Sequence, residues 1–332
     1  MKILLTAPQN AVYDRYFPPF LLAQLASYGE VVRNPFSRSL TADEMAEMIR
    51  DADILLTHWG TPKTDAAMLT AAPKLKLIAH AAGSVAHIVS EEVFDKSIPV
   101  LSANPVMAKF VAESVLGYMI AGTHRFVQTD RIVRAGGWNK KENEQFSLYG
   151  AEIGLIGLGT VGRFLLDLLR PFGCKVFVFD PFLAEIALEA WPFAHLCTFE
   201  EAMQKRIVSV HASKTPQTVH LINEQALSLL PDGALLINSA RGAIVDTKAL
   251  IEKCKNGNLY AVLDVYEQEG AGNLPDDLLQ CTDCTLLQPH TAASAVSWQM
   301  TQAVADDIGR FLKNEPLQYT VSRQQYRLMT QE

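Results

Sequence analysis

Apolar and polar positions alternate in blocks along the first hundred residues. "KILLT" is followed by "PPFLLAQLASYG", "EVVRN" by "TADEMAEMIRDA", "DILLTHW" by "DAAMLTAAP" and "KLKLIAHAAG" by "SEEVFDKS", with "IPVLSA" closing the series. The first member of each pair has strand length, and the second has apolar residues at helical spacing. Repeated strand then helix predicts parallel strands joined by right-handed crossovers. A long helical stretch, "VMAKFVAESVLGYMIAGTHRFVQTDRIVRAGG", follows and stops at paired glycines. Beyond it, "GAEIGLIGLG", "CKVFVFD", "RIVSVHAS", "GALLINSA", "LYAVLDVY" and "CTLLQPH" read as six buried strands of a second sheet. An amphipathic helix, "VSWQMTQAVADDIGRFLKNEP", ends the pattern at Pro316. The expected class is therefore α/β, with two doubly wound parallel sheets.

Composition fits this picture. A chain of 332 residues exceeds what one core usually serves, and 49% hydrophobic with 20% charged residues describes an ordinary globular protein. The net charge of −7 argues against nucleic-acid binding, which needs a basic face. No run of about 18 uncharged apolar residues predicts a membrane span, and "MKILLTAPQN" reads as a first strand rather than a signal peptide. The expected location is the cytoplasm. Five scattered cysteines do not form a disulfide framework. Cys281 and Cys284 make one CxxC, but no second pair or histidine pair completes a zinc set, so no metal is expected.

The stretch "GLIGLGTVGRFLLDLLRPFGCKVFVFD" (154–180) carries the first chemical signal. Gly157, Gly159 and Gly162 stand between a strand and a helix with Val161, Phe164, Leu165, Leu168 and Leu169 on one face. Read plainly this is a packing turn. Read functionally it is a dinucleotide cradle: a tight turn at Gly157, close approach to a pyrophosphate at Gly159, and close helix packing at Gly162. Asp180 ends the next strand 23 residues after Gly157, close to the spacing of about 20 at which a carboxylate meets the ribose hydroxyls. Its charge repels a 2′-phosphate, and Pro181 and Phe182 supply no arginine for one, so NAD is favoured over NADP.

Three later strand ends carry ionisable groups: Arg241 in "INSARG", Asp264 and Glu269 in "LDVYEQE", and His290 in "LLQPHTAAS". Singly these are a surface ion pair, a solvated loop and a satisfied histidine. Together with a nicotinamide they supply the parts for reducing a 2-keto acid. Arg241 is a fork for a carboxylate or carbonyl. His290 is a proton donor, and Glu269 orients the imidazole and favours its protonated form.

The ordered set "GLGTVG", "FVFDP", "TPQTVHLI", "INSARGAIVD", "LDVYEQE" and "QPHTAAS" resembles the D-isomer-specific 2-hydroxyacid dehydrogenase family, from the first strand to the last helix. The resemblance implies Arg241 as substrate clamp and Glu269 with His290 as the acid/base pair. For the cofactor it implies contacts from Gly157, Gly159, Thr160, Val161, Gly162, Asp180, Pro181, His211, Ala212, Thr215, Ser239, Ala240, Arg241, Asp264 and His290, with Asp264 near the nicotinamide carboxamide. It also implies a Rossmann-type NAD domain (102–291) inserted in a flavodoxin-like substrate domain (1–101 and 292–332). In the substrate domain a turn at Ala82, Gly83, Ser84 and Val85 faces the substrate carboxylate, and the loop with His58 and Trp59 borders the substrate. The turn also reads as a glycine helix start, and Trp59 equally as core; His80 and His87 read as structural.

Residues 104–149 match the region through which family members pair, so a homodimer is expected. Departures from the family pattern are Gln288 before the Pro-His pair, "TAA" after it, and Lys214 near the adenosine side. Lys214 weakens strict selection of NAD. Lys63 is the only basic residue in the expected pocket loop, which ranks phosphorylated acids such as phosphoglycerate below glyoxylate, hydroxypyruvate and other plain 2-keto acids. The rival readings are a non-catalytic NAD(H)-sensing protein and, among enzymes of this fold, a formate or phosphite dehydrogenase.

Overall fold

The five apolar runs of the first hundred residues become five strands: β1 (Lys2–Leu5), β2 (Glu30–Arg33), β3 (Ile54–Thr57), β4 (Leu77–His80) and β5 (Val100–Ser102). All neighbours are parallel, in the order β2-β1-β3-β4-β5. This is the flavodoxin-like order, whose switch point lies between β1 and β3. The inner strands are buried along their length, because helices such as Pro19–Tyr28, Ala66–Ala71 and Trp298–Leu312 accompany the sheet. The computed structural model describes residues 1–138, 145–256 and 259–329, and contacts divide the chain into two compact units, Met1–Met107 with Ser294–Glu332, and Ala108–Ala293.

The second unit holds seven parallel strands: β6 (Glu152–Ile156), β7 (Lys175–Phe179), β8 (Ala194–Leu196), β9 (Ile207–Val210), β10 (Ala234–Asn238), β11 (Leu259–Leu263) and β12 (Thr285–Leu287). Their order is β12-β11-β10-β9-β6-β7-β8. Counted from β6, this is the 3-2-1-4-5-6 order of dinucleotide-binding sheets with one strand added, and the order reverses between β6 and β9. Six strands are expected from the sequence; the seventh, β8, is a three-residue edge strand, too short to leave a pattern.

Three further expectations are corrected. The long helical stretch is two helices, Asn104–Thr123 and Phe126–Arg134. Arg125 breaks it with φ of 54°. Its buried guanidinium donates to the carbonyls of Gly122 and Gly233 and lies over the Tyr260 ring. On the helix Thr160–Leu169 the buried face is Gly162, Leu165, Leu166 and Leu169, whereas Leu168 is exposed. The final helix stops at Leu312, ahead of Pro316, where Asn314 turns left-handed, and a short helix Arg323–Leu328 follows.

Helix Asn104–Thr123 is long and apolar enough to cross a bilayer by length and composition. It carries Lys109 and Glu113, and one face of it, Ala108, Val111, Ala112, Val115, Met119 and Thr123, is buried within the protein.

Candidate active site

The glycine loop leaves β6 at the switch point of the second sheet. Gly157 has φ of 89°, and a Cβ there would stand 2.8 Å from Cα and N of Ala212. Only glycine lets the β6 loop pass this close to the chain leaving β9. Gly159 caps helix Thr160–Leu169 and faces open space: a Cβ built on it meets no atom within 4 Å. Thr160 and Val161 form the first turn, so the helix N-terminus opens toward that space. Gly162 is buried, with Leu158 Cδ1 3.0 Å from where its Cβ would be.

Asp180 is tied to this loop. Its Oδ2 accepts the Leu158 N–H at 2.9 Å, and its Oδ1 accepts the Phe182 N–H at 3.0 Å. Pro181 and Phe182 beside it are exposed. From β9, the His211 N–H bonds the Ile156 carbonyl, and its Nε2 lies 2.9 Å from Ser209 Oγ. Burial lowers the His211 pKa to about 4, so it stays neutral. Ala212 follows it against Gly157, and Thr215 pairs with Thr218 in a hydrogen-bonded turn. At the end of β10 the Ser239 hydroxyl oxygen is buried without a hydrogen-bond partner, and Ala240 N–H bonds Asn238.

The ionisable groups lie at the ends of β10, β11 and β12, three neighbouring strands. Arg241 follows β10; its Nη1 donates to the Ala240 carbonyl at 2.7 Å, and among the described residues it has no carboxylate partner. Gly242 brings its loop against the one that follows β11. A Cβ on Gly242 would lie 1.8 Å from the Tyr266 carbonyl carbon, so the two backbones are in direct contact. That second loop carries Glu269, whose Oε2 stands 2.8 Å from His290 Nδ1. Both side chains are about half exposed, which leaves the imidazole reachable by a solute.

His290 is held in a left-handed backbone conformation, φ 56°. Three groups fix it there. Asp264, fully buried, accepts the N–H groups of Thr291 and Ala292 at 2.8 and 3.1 Å. Ser114 donates to the Ala292 carbonyl, and Tyr118 donates to Asp264. The half-buried tyrosine beside that carboxylate has its pKa raised, by desolvation first and the Asp264 charge second. Tyr266 adds a tie between strand ends, its hydroxyl donating to the carbonyls of Leu263 and Gln288.

In the first unit the turn at Ala82–Val85 follows β4. Ser102 Oγ donates to the Gly83 carbonyl at 2.5 Å, and Ser84 Oγ accepts the Ala86 N–H. Trp59 is 41% exposed, its ring edge-on to Tyr16 and His58, so it is not core. His58 and His80 are buried, and desolvation holds the first near pKa 4 and the second well below the usual value. His80 bonds Thr57 Oγ1 at 2.9 Å and stacks edge-on with His87, a structural arrangement.

Sequence reasoning missed Gly242, Tyr266, Ser114 and Tyr118. The "RGAIVD" glycine was a legible signal; the two residues of the connecting helix gave none, because helical spacing does not say what a polar side chain meets.

Residues 116–292, more than half of the chain, match the model of the D-isomer specific 2-hydroxyacid dehydrogenase NAD binding domain. The chain belongs to the D-isomer specific 2-hydroxyacid dehydrogenase family. Among its relatives in this family are the glyoxylate reductase of Thermofilum pendens, 36% identical over 82% of each chain, and the hydroxypyruvate reductase of Thermotoga maritima, 30% identical over 79% of this chain and 85% of the other. The D-3-phosphoglycerate dehydrogenase of Methanocaldococcus jannaschii is 31% identical over 88% of this chain, which spans only 55% of that relative's length. In fold the chain superposes on D-lactate dehydrogenase from Aquifex aeolicus, solved with NAD and lactic acid, with a TM-score of 0.70 at 23% identity, covering 95% of this chain and 96% of that one.

The family's dinucleotide fits the second unit. Gly159 borders open space at a helix N-terminus, Asp180 is fixed beside it, and the buried Ser239 hydroxyl two strands away has no partner of its own.

Proposed function

We propose that this chain interconverts a small D-2-hydroxy acid and its 2-keto acid with NAD(H). The observation that carries the reading is the Glu269–His290 contact of 2.8 Å, held beside Arg241 by the Gly242–Tyr266 backbone contact. The nicotinamide, when bound, supplies or accepts the hydride. With Nδ1–H donated to Glu269, the Nε2 of His290 is the atom that gives a proton to the carbonyl oxygen during reduction and takes it from the hydroxyl during oxidation. Arg241 holds the substrate's carboxylate or carbonyl with its planar fork.

Asp180 favours NAD over NADP through repulsion of a 2′-phosphate. Relatives named glyoxylate and hydroxypyruvate reductases match the chain over most of their length, which supports an unphosphorylated substrate. We also infer a homodimer formed through helices Asn104–Thr123 and Phe126–Arg134. The first is only one-third buried, and Phe126, Val133 and Trp138 stand exposed. Residues 139–144 of the expected pairing region lie outside the described residues. Five free cysteines support a cytoplasmic location.

The test is NADH absorbance with purified protein against glyoxylate, hydroxypyruvate, pyruvate, phenylpyruvate and 3-phosphohydroxypyruvate, with NADPH in parallel. Turnover of an unphosphorylated acid with NADH supports the reading. Tight NADH binding with no acid consumed would favour the NAD(H)-sensing reading instead.

A further inference from the structure

Three thiols outside the site converge beside the head of β12. Cys254 lies in the last turn of helix Thr247–Lys255, and Cys281 and Cys284 stand in the turn that leads into β12. The Cys284 thiol lies 3.5 Å from the carbonyl oxygens of both Cys254 and Cys281. The Cys254 and Cys284 side chains lie near enough to shift each other's titration. The CxxC is legible in the sequence, but its third partner comes from a helix 30 residues earlier and only the fold supplies it.

The three are not equivalent. Cys254 and Cys281 are buried, whereas Cys284 is part-exposed. Cys284 also lines an opening of about 10 Å³ shared with Gln128, Tyr260 and Thr285, about the size of one water. The neighbouring Cys254 thiol lowers the Cys284 pKa, while Cys254, beside Cys284 and desolvated by burial, is raised. Cys281 directs its own hydrogen to the Asp277 carbonyl at 3.2 Å. Among the described residues no group of three or more His, Cys, Asp or Glu is arranged to hold a metal ion.

We propose that Cys284 and Cys254 form a modification site, a thiol pair that a hydroperoxide oxidises to a disulfide. The Cys284 thiolate attacks the terminal peroxide oxygen, the O–O bond breaks, and the alkoxide leaves with a proton as an alcohol, or as water from hydrogen peroxide. The sulfur, oxidised by two electrons, is then a sulfenic acid. The Cys254 sulfur attacks it, the S–O bond breaks, and the hydroxyl leaves as water with the Cys254 proton. In sum, two thiols and one hydroperoxide give one disulfide, one alcohol and one water. The bond ties the end of helix Thr247–Lys255 to the residue before β12.

The test treats the reduced full-length chain with a slight excess of hydrogen peroxide, quenches with catalase, alkylates, and reads intact mass and a peptide map. The expected result is a mass lower by two hydrogens, two of the five thiols lost, and a Cys254–Cys284 linked peptide that dithiothreitol releases. Cys281→Ser should behave the same. Cys254→Ser should instead leave Cys284 as a sulfenic acid that dimedone labels. A Cys281–Cys284 link, direct conversion of Cys284 to a sulfinic acid in the wild type, or unreacted Cys284 would each overturn the proposal. The wild-type map and Cys281→Ser decide the matter even where Cys254→Ser fails to fold.

Discussion

Asp264 holds the peptide that follows His290: its two carboxylate oxygens accept the N–H groups of Thr291 and Ala292 while Tyr118 bonds the same carboxylate. The left-handed backbone at His290 therefore rests on a buried charge that lies under the loop. Asp264→Asn places an amide donor against one of these N–H groups. An unsatisfied buried group costs about 1–3 kcal/mol, so thermal unfolding should move down and turnover should fall even though no proton-transfer atom is removed. Unchanged turnover and melting would show that the carboxylate does not position His290.

Gly242→Ala tests the contact between the Arg241 loop and the Glu269 loop. The new Cβ has no room against the Tyr266 carbonyl, so the loops must separate. Overpacking of this kind costs about 1–3 kcal/mol, and kcat/KM for the 2-keto acid should fall by more than the stability loss alone explains. Melting and steady-state kinetics on one preparation separate the two.

Cofactor choice should follow Asp180. Asp180→Ser removes the charge that opposes a 2′-phosphate and keeps a short polar group near the Leu158 N–H. The ratio of kcat/KM for NADH to that for NADPH should drop by about tenfold or more, since a change of 1.4 kcal/mol suffices. A ratio that stays constant would place the selection elsewhere.

Stability should decline on mild acidification. His58 and His211 have folded pKa values near 4, and His80 lies well below 6.5, each lowered first by burial. Below about pH 6.5 the unfolded chain takes up protons that the folded chain refuses, so folding weakens as pH falls from 6.5 toward 4. Each histidine contributes a slope of up to about 1.4 kcal/mol per pH unit. Melting temperatures recorded between pH 7 and 4.5 should fall steadily, and His80→Asn should reduce the slope.

Much of this is legible in the sequence. Strand-length apolar runs and Gly157, with Asp180 at the right distance, mark both sheets and the glycine loop, because buried parallel strands and tight turns constrain residue type strongly. Arg241, Glu269 and His290 were legible as chemistry at strand ends, although their approach depends on Gly242 against Tyr266, a contact between distant segments. The break at Arg125 was hidden, since a buried arginine held by the Gly122 and Gly233 carbonyls and Tyr260 has no local signature. Cys254 joined Cys284 for the same reason: proximity came from the packing of a helix end on β12.

The central claim is that His290, oriented by Glu269, moves the proton. The most direct measurement is the turnover number of His290→Ala with NADH and the best 2-keto acid of the panel, alongside NADH affinity by fluorescence titration. Turnover should fall by about 10²–10⁴, the range of general acid–base catalysis, with NADH affinity within a few-fold of wild type. Turnover close to wild type with NADH still bound would contradict the mechanism.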